Sequence, residues 1–119
     1  MLGFGAHQRY YIYKAAVDMR KGYDGLSGLV RNELGADPLS GDVYVFFNRN
    51  RRSVKLLVWD RDGFVVYGKR LERGCYEQLS GIIEGKIRDI SYQHLIMLLS
   101  GISLVGLHQR PRYEMKKTG

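Results

Sequence analysis

The chain has one cysteine, Cys75. No disulfide can close within it, and no zinc site built on paired cysteines can form. A lone thiol suits a reducing compartment. The histidines His7, His94 and His108 lie far apart without ligand spacing, which argues against a histidine metal site. The longest apolar stretch, Leu95–Leu107, is broken by Ser100, Gly101, Ser103 and Gly106. A membrane span needs about twenty residues, so this stretch predicts a buried helix and its exit, with no membrane partner. The N-terminus lacks a basic region followed by an apolar stretch and a small-residue cleavage site, so no signal peptide is expected.

Acidic residues are also scarce, 12 Asp and Glu against 19 Lys and Arg in 119 residues, a formal charge of +7. That excess favours anionic partners, nucleic acid among them. Arg110, Arg112, Lys116 and Lys117 oppose only Glu114 after Leu107, so the tail carries +3 and the body +4. Hydrophobic residues at 45% indicate a globular chain. No internal repeat or linker divides it. We expect one domain over residues 1–107 and a basic, disordered tail over 108–119.

Tyr10–Lys14, aromatic and β-branched, predicts a first strand. Asp18 is placed to cap a helical turn. Tyr23, Leu26, Leu29, Val30 and Leu34 recur at three- and four-residue steps and mark one helix face. Gly35 and Asp37-Pro38 end it. Val43–Phe47, Ser53–Trp59 and Phe64–Leu71 read as strands, with Asn48–Arg52 and Asp62-Gly63 as turns. Apolar residues stand at both parities in these strands, so both sheet faces should be covered. Cys75–Asp89 gives no clear pattern. Ser91 predicts the N-cap of a helix over Tyr92–Ser100 that Gly101 ends. The fold class is α+β: a mostly antiparallel sheet of about four strands, one helix after the first strand and a C-terminal helix.

Three groups of cations are candidate nucleic-acid contacts. Arg20 and Lys21 stand with Gly22 at a helix start, where unpaired amides attract phosphate. Arg49, Arg51 and Arg52 crowd one hairpin loop, with Lys55 on the strand behind it. Lys69 and Arg73 flank Arg70, which shares a strand face with Glu72 and is expected to pair with it. Tyr44, Phe46, Trp59, Phe64 and Tyr67 interleave with these cations and could stack bases, but the two-sided pattern favours the core. Asp60, Asp62 and Glu84-Gly85-Lys86 loosely match a metal-nuclease arrangement. The turn already accounts for the aspartates, so no catalytic residue, metal or cofactor is expected.

The order of these strings is more specific than any one of them. Val17-Asp18-Met19-Arg20-Lys21-Gly22-Tyr23-Asp24-Gly25-Leu26 runs on to Leu29-Val30-Arg31. Asp37-Pro38-Leu39-Ser40-Gly41, the arginine loop, Lys55–Asp60 and Lys69-Arg70-Leu71-Glu72-Arg73-Gly74 follow. Over Val17–Gly74 the chain resembles the TnpB-type accessory proteins of the insertion-sequence-sixty-six family of bacterial transposons. Those proteins often carry Trp-Pro just after the last string, where this chain has Glu77-Gln78. The resemblance implies a non-catalytic accessory factor of transposition in a bacterial cytoplasm, encoded beside a separate transposase. DNA, the transposase or both would be its partners. The alternative is a protein-interaction module that joins transposase subunits through an aromatic sheet face without touching DNA.

Overall fold

The computed structural model describes residues 4–78 and 85–101. The expected tail over 108–119, the domain limit at 107 and Glu84 of the nuclease-like string lie outside the described residues. The elements are β1 (Tyr10–Tyr13), α1 (Tyr23–Asn32), β2 (Val43–Phe47), β3 (Ser53–Asp60), β4 (Gly63–Arg70), β5 (Ile87–Ile90) and α2 (Tyr92–Leu99). The strands form one sheet in the order β4-β3-β2-β1-β5. β1 and β2 run parallel, linked through α1, and every other neighbouring pair is antiparallel.

The α+β class and the mostly antiparallel sheet follow the sequence. The strand count is five rather than about four. The fifth, β5, lies in the stretch that gave no pattern, because four residues containing Arg88-Asp89 offer too short and too polar a signal. It forms only by pairing with β1, Tyr10 opposite Ile90 and Tyr13 opposite Ile87.

Both faces of the sheet are covered. Val43, Val45 and Phe47 point to the side where Leu95 and Leu98 of α2 pack, with Val54, Leu56 and Tyr76. Tyr44 and Phe46 point the other way, under Leu26 and Val30 of α1. Alternating side chains thus enter two cores, and all five residues of β2 are buried. Among the interleaved aromatics, Tyr44 and Phe46 are core, while Trp59, Phe64 and Tyr67 are half-buried.

Several local expectations are adjusted. Tyr23, assigned to the apolar helix face, is 56% exposed, since it opens the helix before the face meets the sheet. Asp18 caps a turn upstream of α1: its Oδ1 accepts from the Arg20 N–H at 2.8 Å and its carbonyl from the Lys21 N–H at 3.1 Å. The N-cap of α1 itself is Gly22, which has no side chain to donate or accept. In the β3–β4 hairpin Asp60 pairs with Gly63, so Arg61 and Asp62 form the turn and Gly63 begins the strand. Arg61 takes the left-handed conformation at φ 57°.

Ser91 caps α2 as read, its Oγ accepting from the His94 N–H at 3.1 Å. Ser91→Ala is expected to destabilise the fold by about 1 kcal/mol. A urea midpoint unchanged in that variant would show that the Ser91 cap contributes little to holding α2.

Candidate nucleic-acid interface

Strand register decides where the charges gather. β1 ends at Tyr13 and the parallel β2 at Phe47, while β3 begins at Ser53, β4 ends at Arg70 and β5 begins at Ile87. Pairing places these termini at one end of the sheet: Phe47 opposite Val54, Ser53 opposite Arg70 and Tyr13 opposite Ile87. The loops that leave this end carry Arg20, Lys21, Arg49, Arg51, Arg52 and Arg73, and the adjoining strand residues include Lys55 and Lys69. All the sequence-predicted cations therefore share one end. Asp60, Asp62 and Asp42 stand at the opposite end, beside Gly63 and Val43. Lys86, next to Ile87, is at the basic end on the far edge of the sheet. The nuclease-like aspartates and Lys86 thus occupy opposite corners. No group of three or more metal-ligating side chains occurs among the described residues.

The cations differ in what they already hold. Arg51 is half-buried. Its Nε donates to the Tyr76 carbonyl at 3.2 Å and its Nη2 to the Glu77 carbonyl at 2.8 Å. Its Cζ lies 4.2 Å from the centre of the Phe47 ring. Its own carbonyl accepts the Tyr76 N–H at 2.7 Å. Burial pulls the guanidinium below its ordinary pKa. Arg52 donates to the Glu72 carbonyl at 2.9 Å, and its carbonyl accepts the Leu71 N–H at 2.7 Å. Both arginines clamp residues 71–77 against the hairpin loop, and Arg52 is exposed while doing so. Asn48 shapes that loop, its Oδ1 accepting from the amides of Arg52 and Ser53 at 3.1 Å.

Arg49 remains exposed and lines an open groove of about 490 Å³ with Asp18, Met19, Asn48 and Asn50. Lys55 reaches across and donates to the Lys21 carbonyl at 2.8 Å, which ties the start of α1 to β3. Lys21, also exposed, lies over Gly25, where an added Cβ would meet Lys21 Cβ at 3.0 Å. Arg49 thus lines that groove, while Arg20, bonded to Asp18 of its lining, and Lys21 follow at the start of α1.

Arg20 is paired there. Its Nη2 is 2.7 Å from Asp18 Oδ2, with the Arg20 side chain 91% exposed. The hydrogen bonds from Arg20 hold the Asp18 carboxyl down at about 2. The pair is therefore complete above the ordinary carboxylate range near 3.8 and is lost only as pH falls through about 2. A carboxyl NMR titration of Asp18 should give a midpoint near 2, moving back toward 3.8 in Arg20→Ala. A midpoint unmoved by that substitution would break the assigned pairing. An exposed pair is weakly held in water, so phosphate can compete for Arg20.

Lys69 and Arg70 point to opposite faces, as regular strand geometry requires. Arg70 meets Glu72 at 3.5 Å, with both side chains largely exposed. Lys69 faces the α2 side. There, with Leu71, Arg73, Tyr76, Leu98 and Leu99, it lines a cavity of about 400 Å³. Sequence reading did not anticipate Tyr76 or this cavity. Tyr76 lies in the patternless stretch, and the Arg51 clamp from 25 residues away and the Phe47 ring at 5.5 Å hold it on the sheet.

The chain matches the sequence pattern of the family described as IS66 Orf2 like protein over residues 8–109. Two proteins of Sinorhizobium fredii are similar to it. Uncharacterized protein y4hO is 36% identical over 86% of this chain and 87% of its own length. Uncharacterized protein y4jC is 28% identical over 93% of each. No solved structure gives a significant match.

Proposed function

We propose that this chain, which belongs to the IS66 Orf2-like family of insertion-sequence proteins, serves transposition as an accessory factor that binds DNA through the basic end of its sheet. The single observation behind this reading is the segregation of charge. Strand register collects the candidate cations at one end and leaves Asp42, Asp60 and Asp62 at the other. The eight candidate cations outnumber Asp18, Glu72 and Glu77 at the basic end, whereas Arg9 and Arg61 stand among the aspartates at the other. Such a basic excess at one pole steers and orients a polyanion. Arg49 lines the groove that would track the phosphate backbone, Arg20 and Lys21 stand next to it in sequence beyond Asp18 and Met19, and Lys55 ties Lys21 to β3. Arg51 and Arg52 support the loop that presents Arg49. The protein works without catalysing a reaction, in the bacterial cytoplasm, alongside the transposase. No helix among the described residues is long and apolar enough to cross a membrane.

DNA-binding anisotropy across a salt series tests the reading, with the element's terminal repeats set against a scrambled duplex. Binding whose logarithm falls linearly with log salt supports it, and a terminal-repeat preference at physiological salt adds sequence reading. Absence of binding to either duplex overturns it and favours the transposase as direct partner. Docking through an aromatic sheet face has little support, because Tyr44 and Phe46 lie under α1. The surface that favours a protein partner is the outer edge of β4, an eight-residue edge strand with Val65 exposed. Salt-resistant co-purification with the transposase would support that second reading.

A further inference from the structure

The cavity on the α2 side lies at the same basic end as the α1-side groove, with the Arg51 loop between them. Lys69 and Arg73 supply its cations, and Leu71, Leu98 and Leu99 its apolar walls. Tyr76, 3% exposed, also lines it, and the Tyr76 hydroxyl is shut off from solvent without a hydrogen-bond partner among the described residues. An orphaned buried hydroxyl costs free energy that a ligand's polar atom can recover. Burial also raises the Tyr76 pKa, so the group is present as a neutral donor.

A volume of about 400 Å³ is in the range of small-molecule sites and far too small for a duplex. The donor set asks for an anionic group at Lys69 and Arg73. The apolar walls ask for a flat, weakly polar body, and Tyr76 asks for one hydrogen-bond acceptor within it. A nucleotide meets all three demands through its phosphate, the faces of its base and its ring or carbonyl acceptors. Glu77 also borders the cavity, which places the phosphate on the Lys69–Arg73 side and leaves a carboxylate near the base edge.

We propose that this cavity holds a single unpaired nucleotide at the end of a DNA duplex whose phosphates run along the basic end of the sheet. The proposal rests on the DNA-binding reading above and adds to it a preference for an unpaired terminus. Cys75, exposed and the only cysteine of the chain, lines the cavity and serves as a reporter.

The test compares a blunt duplex with the same duplex carrying one unpaired 3′ nucleotide at each end. Stacking and capture of one base are expected to make the extended duplex bind about tenfold tighter. It should also slow alkylation of Cys75 by N-ethylmaleimide, which the blunt duplex should not. Tyr76→Phe, which keeps the ring and its packing on Phe47, should lose part of the preference while binding blunt DNA as the parent does. Lys69→Ala with Arg73→Ala should abolish the preference. Equal affinity for the two duplexes, or equal alkylation of Cys75 in their presence, overturns the nucleotide site and leaves the DNA reading standing. Failure to bind either duplex overturns both.

Discussion

Arg51→Ala is expected to lower the melting temperature by about 10 °C, a loss of roughly 2–3 kcal/mol. The substitution removes two charge-assisted hydrogen bonds, to the carbonyls of Tyr76 and Glu77, and the guanidinium over Phe47. It leaves acceptors unpaired in a partly buried place, which costs more than a lost surface contact. The backbone cost of this position is common to arginine and alanine. Arg51 sits at φ 57°, a conformation costly for any residue with a Cβ. Arg51→Gly should therefore fall between alanine and the parent, because glycine relieves the backbone but restores no contact. Arg51→Lys keeps the charge without the planar fork and should recover little. Thermal unfolding of the three variants checks the order. A parent-like melting temperature for Arg51→Ala would mean that residues 71–77 are held by something other than this clamp.

The second large effect is on binding. Arg20→Ala, Lys21→Ala and Arg49→Ala combined should flatten the salt slope of DNA binding by about 3 and weaken affinity roughly a hundredfold at low salt. Each of these side chains is exposed, so the melting temperature should stay within about a degree or two of the parent's. Removal of Arg49, Arg51 and Arg52 together would be a poorer test, because Arg51 and Arg52 hold residues 71–77 and their loss mixes unfolding with lost contact. The cleaner set leaves both in place. An unchanged slope in a folded triple variant would remove the α1-side groove from the interface and point to Lys69 and Arg73 instead.

The fold was legible wherever one residue type controls local geometry. Gly35 at φ 61° ends α1, Gly101 at φ 84° ends α2, and Ser91 caps α2, each as its residue type dictates. Apolar residues at both parities of the strands announced a sheet covered on both faces, and the complete burial of Val43–Phe47 accords with that. The basic excess and the lone cysteine are set by composition alone, and the family resemblance by the order of residues along the chain.

What the tertiary structure alone decided is which charges meet and which are already engaged. Arg49, Arg51 and Arg52 look alike in one loop. Yet the left-handed turn at Arg51 sends its side chain onto Phe47 and the 76–77 carbonyls, while Arg49 stays in the groove. Lys21 and Lys55, and Arg51 and Tyr76, meet across 34 and 25 residues, separations over which no local pattern carries information. The same holds for β5, whose four residues become a strand only because β1 offers an edge to pair with. Propensity and capping act within a few residues and can be read from sequence. Register and long-range hydrogen bonds depend on the whole chain's packing, and these gathered the cations at one end of the sheet.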